Sequence, residues 1–141
     1  MSIVKDVLSI EDEADTVVGT IAELELLGFT VDKVKNLCEA REKLKNFSYR
    51  VFLVDLRLPE APELDADVRS GVNIVQEIES GNYGDVNSGC FIMFLSGQNT
   101  MMDLFVHQGD IKKGPKIDTY RKGASIYPLI DRIEREVKSR R

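Results

Sequence analysis

Five polar side chains occur where apolar segments of this sequence end or are interrupted, and they are Glu11, Asp12, Asp55, Ser96 and Lys122. Three of them are carboxylates, which repel one another at short range and then require a cation. A hard divalent ion with oxygen ligands suits such a set, and Mg²⁺ typically binds one or two carboxylates with waters and phosphate oxygens. The set therefore predicts a magnesium site if the fold brings the five residues together.

The same residues predict the transfer of a phosphoryl group. With a metal bound, Asp55 can stay ionised and attack phosphorus as a nucleophile. The attack builds negative charge on the peripheral oxygens, which the metal, the Lys122 ammonium and the Ser96 hydroxyl would stabilise. The product would be an acyl phosphate, and Ser96 and Lys122 could move towards it and carry their loops with them.

The elements that must position these residues alternate between strand and helix. Apolar segments predict strands at residues 4–10, 29–31, 50–55, 90–95 and 117–121. Apolar residues spaced by three and four predict helices at residues 17–27, 36–46, 71–80, 98–107 and 125–138. Fivefold strand–helix alternation indicates an α/β fold with a parallel sheet and helices on both faces.

A parallel sheet would bring the five polar residues to one edge. Right-handed crossovers place the carboxyl ends of all strands at the same edge. Ligands of open α/β sheets bind at that edge, beside the switch in strand order. We therefore expect one shallow pocket that contains three carboxylates, a hydroxyl and an ammonium.

Several segments resemble one family. Residues 7–13 (VLSIEDE) and 51–59 (VFLVDLRLP) resemble the first and third strands of bacterial response-regulator receiver domains, the chemotaxis-regulator-like domains of two-component signalling. Residues 92–97 (IMFLSG) resemble the fourth strand with its Ser/Thr, and residues 119–123 (TYRKG) resemble the fifth-strand lysine segment. The resemblance covers nearly the whole chain, from Val4 to about Val137.

The resemblance implies a fold and a set of roles. The fold would be flavodoxin-like and doubly wound, a five-stranded parallel sheet in the order 2-1-3-4-5 with five helices, and residues 1–141 would form a single receiver domain. Asp55 would accept the phosphoryl group, and Ser96 and Lys122 would sense it. The implied Mg²⁺ ligands are the carboxylates of Glu11, Asp12 and Asp55 and the backbone carbonyl of Arg57.

The sequence departs from the family after its fifth strand and in three loops. Gly123 stands where the family usually has proline after the lysine, and Thr119 occupies the usual place of the switch aromatic. Tyr120 lies one residue nearer the lysine, so strand alternation predicts that it points to the other face. The loops 59–70, 80–90 and 109–116 are longer than usual, and the first contains four acids that could shape metal affinity or partner access, namely Glu60, Glu63, Asp65 and Asp67.

Length and composition limit the remaining possibilities. The 141 residues are enough for one domain with its own core. The net charge of −5 argues against a nucleic-acid surface, and no apolar run approaches membrane-spanning length. Cys38 and Cys90 fit no metal spacing and need not pair, and we expect Cys38 to pack within its helix. With no secretory signal pattern at the N-terminus, these features favour a cytoplasmic location.

The leading hypothesis is a phosphoacceptor switch without an enzymatic role beyond its own phosphorylation and dephosphorylation. Its partners would be a histidine kinase or phosphotransfer protein and a downstream protein target, and it could form a homodimer. One alternative is a degenerate receiver that binds partners without phosphate, which the Tyr120 and Gly123 departures motivate. Another is a metal-dependent aspartyl-phosphate phosphohydrolase, although Arg57 stands where such enzymes commonly have a second acid. A flavodoxin-like cofactor binder ranks last, because the loops lack a glycine-rich phosphate cradle.

Overall fold

The computed structural model describes residues 3–13, 17–97 and 99–141, and its strands and helices alternate except in the stretch from β3 to α4. In chain order the elements are β1 (Ile3–Ile10), α1 (Val18–Leu26), β2 (Val31–Val34), α2 (Leu37–Asn46), β3 (Phe47–Asp55), β4 (Leu58–Pro59), β5 (Ala66–Asp67), α3 (Ser70–Glu79), α4 (Asp85–Ser88), β6 (Phe91–Ser96), α5 (Asn99–His107), β7 (Ile117–Arg121) and α6 (Ile126–Ser139).

Five of the strands form one parallel sheet in the order β2-β1-β3-β6-β7. Counted within this sheet alone, that is the order 2-1-3-4-5, so the expected flavodoxin-like arrangement is confirmed. Parallel neighbours need crossover connections, and the helices supply them. The predicted edge therefore exists, with all five strands ending at the same side of the sheet.

Both faces of the sheet are covered by helices. Phe52 and Val54 of β3 pack in one apolar cluster with residues of α2, α3 and α5. Val51 and Leu53 pack in a second cluster with residues of α1 and α6. Alternate residues of one strand thus belong to opposite cores. Because both faces of the central strands are buried, consecutive residues in these strands are apolar and do not alternate with polar ones.

The structure differs from the sequence reading at the start of β3. This strand begins at Phe47 rather than at residue 50, because Ile3 pairs with Phe47 and extends the ladder. The fully buried Asn87 supports this end, since its side-chain oxygen accepts a 2.7 Å hydrogen bond from the Tyr49 amide. Asn87 belongs to α4, a four-residue helix in the predicted loop, so the described chain has six helices rather than five.

The predicted loop 59–70 contains a small antiparallel hairpin made of β4 and β5. Leu58 pairs with Asp67 and Pro59 pairs with Ala66. The Leu58 side chain is fully buried in the core that α2, α3 and α5 cover, which fixes the base of the hairpin. The following helix, α3, begins at Ser70. The predicted start of α5, Gln98, lies outside the described residues.

None of the helices in the described ranges combines the length and the apolar character that crossing a bilayer requires.

The two cysteines should react very differently with a thiol reagent. The expectation that Cys38 packs within its helix is wrong, because its side chain is exposed on α2. Cys90 is 2% exposed, and burial raises the pKa of its thiol to about 12. We therefore expect one labelled cysteine per native chain and two after denaturation, as measured by intact mass. Labelling of Cys90 at the Cys38 rate in native protein would contradict this packing.

Candidate functional site

A cleft of about 260 Å³ opens at the carboxyl edge of the sheet. Its polar lining residues are Asp12, Glu13, Asp55, Arg57, Ser96 and Lys122. Its remaining lining residues are Leu56, Ala66, Val68, Gly97 and Met101. Four of the five polar side chains that the sequence predicts to converge therefore line one cavity, and the fifth, Glu11, is buried in contact with Lys122.

Backbone hydrogen bonds continue past the strand ends and place these residues next to one another. The Glu11 amide donates to the Val34 carbonyl at 3.0 Å, directly after β1. The Lys122 amide donates to the Ser96 carbonyl at 2.9 Å, directly after β7. Asp55 is the last residue of β3 and pairs with Leu95 of β6. The parallel register therefore fixes the relative positions of the carboxylates, the hydroxyl and the ammonium.

The Lys122 ammonium joins two of the carboxylates. Its Nζ lies 2.8 Å from Glu11 Oε2 and 3.2 Å from Asp55 Oδ2. Glu11 and Asp55 are only 3% and 6% exposed, so both ion pairs are largely shielded from water. Arg57 contributes through its backbone, because its amide makes a long 3.4 Å contact to Asp55 Oδ1. The Arg57 side chain is exposed at the mouth of the cleft.

Glu11, Asp12 and Asp55 form an acidic cluster, in which one carboxylate oxygen of each lies within 4.8 Å of those of the others. One ammonium faces these three carboxylates, so ionisation of all three leaves an excess of two negative charges. Glu11 Oε2 is buried and has no partner in hydrogen-bond geometry among the described residues, even though Lys122 lies close to it. An all-oxygen donor set with surplus negative charge fits a hard divalent cation such as Mg²⁺.

The crowding of charges changes the proton affinity of the cluster. Burial, and then the neighbouring Asp55, raises the pKa of Glu11 to about 8, although Lys122 opposes the shift. Burial and the charge of Asp55 also raise the pKa of Asp12. Burial disfavours the charge on Lys122, but Glu11 and Asp55 outweigh it, so the pKa of Lys122 is raised and the side chain stays cationic. Without a bound cation, this crowding therefore makes Glu11 easier to protonate than an isolated glutamate.

Several solved receiver-domain structures superimpose on nearly the whole of this chain. A response-regulator receiver domain protein, described as CheY-like, from Methanospirillum hungatei superimposes with a TM-score of 0.69 and 17% identity, over 97% of this chain and 96% of that one. The receiver domain of a sensor histidine kinase from Pseudomonas aeruginosa, with a magnesium ion in its active-site cleft, superimposes with a TM-score of 0.69 and 21% identity. The alignment covers 95% of this chain and 98% of that one. A response regulator from Thermotoga maritima, in complex with Mg²⁺ and BeF, superimposes with a TM-score of 0.64 and 21% identity. The alignment covers 94% of this chain and 98% of that one.

The chain has the response-regulator receiver fold. Each of these structures aligns along nearly its full length, although fewer than a quarter of the residues are identical. Neither a protein-family model nor a curated protein sequence matches the chain. The likeness is therefore structural, and the chemistry must be argued from the residues of this chain.

The strand β7 and the turn after it differ from the usual receiver pattern, as the sequence indicated. Tyr120 pairs with Leu95 and, partly buried, packs against the core beneath α1 and α6, as strand alternation predicted, while Thr119 pairs with Phe94 of the opposite core. The Tyr120 hydroxyl donates to the Ala124 carbonyl and closes the turn that carries Lys122. Gly123 adopts φ +92° in this turn, a conformation that favours glycine.

The sequence does not predict the apolar part of the cleft. Ala66 and Val68 come from the hairpin insertion and line the cavity together with Met101 of α5. The acids of the insertion, which could shape metal affinity or partner access, are not among the residues that line the cleft. Glu60 instead forms an ion pair with Arg41 of α2. Nothing in the composition of the loop distinguishes the residues that face the cleft, because long-range contacts set their orientation.

The raised pKa of Glu11 predicts an inverted pH dependence of stability for the metal-free protein. Folded Glu11 holds its proton between about pH 4.5 and about pH 8, where an unfolded glutamate has lost it. The folded state therefore binds more protons, and this contribution to stability is lost as the pH rises through about 8. The expected slope is at most about 1.4 kcal/mol per pH unit for one proton.

Glu11→Gln is the matched control for this prediction, since it keeps the shape of the side chain without the titration. In the presence of a chelator, the free energy of unfolding should fall more steeply with rising pH in the wild type than in Glu11→Gln. Added Mg²⁺ should stabilise the wild type more at higher pH, because cation and proton compete for the same oxygens. Parallel curves for the two proteins across this pH range would contradict the assignment.

Proposed function

We propose that this chain is the phosphoacceptor switch of a two-component phosphorelay, in which Asp55 takes a phosphoryl group from a partner histidine kinase or phosphotransfer protein. The observation that carries the proposal is the pair of contacts from Lys122 Nζ to Glu11 and Asp55 within one acidic cleft. This arrangement supports a nucleophilic carboxylate with a fixed cation beside it. The magnesium and BeF that accompany two of the similar receiver structures add support.

In the proposed reaction, an Asp55 carboxylate oxygen forms a bond to phosphorus, and the bond from phosphorus to the donor atom breaks. The leaving group departs with the bonding electrons. Negative charge develops on the peripheral phosphoryl oxygens, beside the Lys122 ammonium and the Ser96 hydroxyl. Because Lys122 already contacts Asp55 at 3.2 Å, it requires little reorganisation as that charge develops.

Glu11, Asp12 and Asp55, with the backbone carbonyl of Arg57, would hold Mg²⁺. When bound, Mg²⁺ supplies positive charge that neutralises the carboxylates and stabilises the phosphoryl oxygens. The fit of the residues to this ion rests on the excess of carboxylates, since three of them share the Lys122 ammonium among the described residues. The Lys122 ammonium can then turn from Glu11 towards the phosphoryl group while Glu11 keeps a cationic partner.

The signal would leave the cleft through β7. Lys122 follows β7 directly, and the Tyr120 hydroxyl ties the same turn to the start of α6. Movement of Lys122 towards a phosphate would therefore act on the surface formed by α5, β7 and α6, which we propose as the contact face for a downstream protein or a second copy of the chain. The chain would act through this contact rather than as a multiple-turnover phosphohydrolase, because Arg57, exposed at the cleft mouth, offers no second acid.

A thermal-shift measurement with a phosphate mimic tests this proposal against a receiver that works without phosphate. We expect beryllofluoride with Mg²⁺ to raise the melting temperature by several degrees, because a ligand that binds only the folded state stabilises it. Either component alone should give a smaller shift, and Asp55→Asn should lose the combined effect. No shift in the wild type would contradict the proposal, and multiple-turnover hydrolysis of phosphomonoesters would favour the phosphohydrolase instead.

A further inference from the structure

The β4–β5 hairpin forms one wall of the cleft in which Asp55 lies. Ala66 lies in β5, and Val68 is the first residue after this strand. Both line the cavity together with Lys122 and Ser96. This wall presents side chains that can neither hold a water molecule by a hydrogen bond nor transfer a proton. The polar residues of the cleft come from the ends of the sheet strands instead.

The first limb of the hairpin is tied to α2. The Glu60 carboxylate forms an ion pair with Arg41, and the Glu60 carbonyl accepts a 2.9 Å hydrogen bond from the Cys38 amide. Arg41 also binds Glu77 of α3 through two hydrogen bonds of 3.1 and 2.9 Å. Tyr83 donates a 3.0 Å hydrogen bond to the same Glu77 carboxylate. This limb is therefore held by a network that spans two helices.

The second limb is tied to α5 and the segment after it. Arg69 forms a 3.2 Å ion pair with Asp110, and its guanidinium lies 5.3 Å from the centre of the Phe105 ring. The Arg69 amide donates a 2.8 Å hydrogen bond to the Asp67 side chain, which fixes the path of the chain through Val68. With both limbs anchored and Leu58 buried at the base, the hairpin is a fixed part of the cleft.

An acyl phosphate on Asp55 would be lost by hydrolysis. In that step a water oxygen bonds to phosphorus, the bond from phosphorus to the Asp55 oxygen breaks, and the carboxylate leaves with the bonding electrons while the proton passes to solvent. The rate depends on how readily water reaches the phosphorus and whether a polar group orients it. Excluding water from a site protects a reactive intermediate from this reaction.

We infer that the hairpin wall, through Val68 and Ala66, sets the lifetime of the phosphorylated state by keeping water away from one side of the Asp55 acyl phosphate. This inference rests on the proposed function, since it concerns the product of that reaction. It assigns a regulatory role to an insertion that contributes no charged group to the cleft lining. Val68 is the residue to test, because it is 37% exposed and can be replaced without opening the core.

The test compares acyl-phosphate half-lives in the full chain. Wild type, Val68→Thr and Val68→Ala are phosphorylated with acetyl phosphate and Mg²⁺, the donor is removed, and the loss of the phosphoryl group is followed by intact mass. Threonine keeps the shape of valine and adds a hydroxyl, whereas alanine widens the gap. Val86→Thr is the matched control, because Val86 is a 47% exposed valine on α4, which packs near the opposite end of β3.

We expect hydrolysis to be roughly three- to tenfold faster in Val68→Thr and Val68→Ala than in the wild type, and unchanged in Val86→Thr. Phosphorylation of all four proteins with equal half-lives would overturn the inference and leave the proposed function intact. Absence of phosphorylation in the wild type would overturn both. Melting temperatures within a degree or two of the wild type would show that the faster hydrolysis comes from the cleft and not from partial unfolding.

Discussion

Replacing Lys122 with methionine is expected to slow phosphorylation of Asp55 about a hundredfold, the effect typical of losing one group that stabilises transition-state charge. The ammonium contacts Asp55 Oδ2 at 3.2 Å and lines the cleft, so its charge is in place before the donor arrives. Methionine fills a similar volume without the charge. The rate of phosphoryl incorporation from acetyl phosphate, followed by intact mass, measures the effect.

The same substitution should also lower stability, because it leaves two buried carboxylates without their cation. Breaking a buried ion pair costs about 3–5 kcal/mol in general. Here the loss of stability should be smaller at mildly acidic pH, where Glu11 can retain a proton. Added Mg²⁺ should restore part of the lost stability. Lys112→Met removes an exposed lysine and serves as the control for net charge. A phosphorylation rate in Lys122→Met within about twofold of the wild type would contradict the assigned role.

Gly71→Ala is expected to destabilise the protein by about 1–3 kcal/mol and to impair the phosphoacceptor site. Gly71 lies in the first turn of α3, where a Cβ atom would meet the Asp55 carbonyl oxygen at 2.2 Å and the Leu56 Cα at 2.8 Å. Both obstacles are backbone atoms, so either α3 or the end of β3 must move. The Gly71 amide also donates a 2.9 Å hydrogen bond to the Leu56 carbonyl, which the movement would strain.

Gly19→Ala provides the matched control, because it makes the same substitution in α1, where no described atom beyond the chain neighbours and the helix's own backbone lies within 4 Å of the added Cβ. Alanine in an unhindered helix should stabilise the protein by up to about 1 kcal/mol. Chemical denaturation of both variants, with Mg²⁺ and beryllofluoride titrations, separates the two effects. Equal unfolding free energies for Gly71→Ala and the wild type would show that α3 does not pack against Asp55 as closely as described.

The polar edge of the sheet could be predicted because its positions follow from local patterns. Four of the five predicted strands end on, or are directly followed by, a polar residue of this set, and parallel crossovers bring those ends together whatever the loops do. Glu11, Asp55 and Lys122 accordingly meet within ion-pair distance although more than sixty residues separate the last two. The side of the sheet that Tyr120 faces followed from the two-residue period of a strand.

The insertions could not be predicted, because contacts far apart in the sequence determine them. The composition of residues 59–70 indicates only a polar loop, whereas the hairpin depends on Arg41 and Asp110, which lie outside it. The four-residue helix α4 is too short to show a period, and its central Asn87 is recognisable only from the Tyr49 amide that it satisfies. The apolar wall of the cleft was missed for the same reason.

The central claim is that Asp55 is the residue that accepts the phosphoryl group, and peptide-level mass spectrometry tests it most directly. Wild type and Asp55→Asn are incubated with acetyl phosphate and Mg²⁺, with Asp65→Asn, an exposed carboxylate of the hairpin, as the control. We expect one phosphoryl group on the peptide that contains Asp55 in the wild type and in Asp65→Asn, and none in Asp55→Asn. An unchanged mass in the wild type, or a phosphoryl group that persists in Asp55→Asn, would contradict the account.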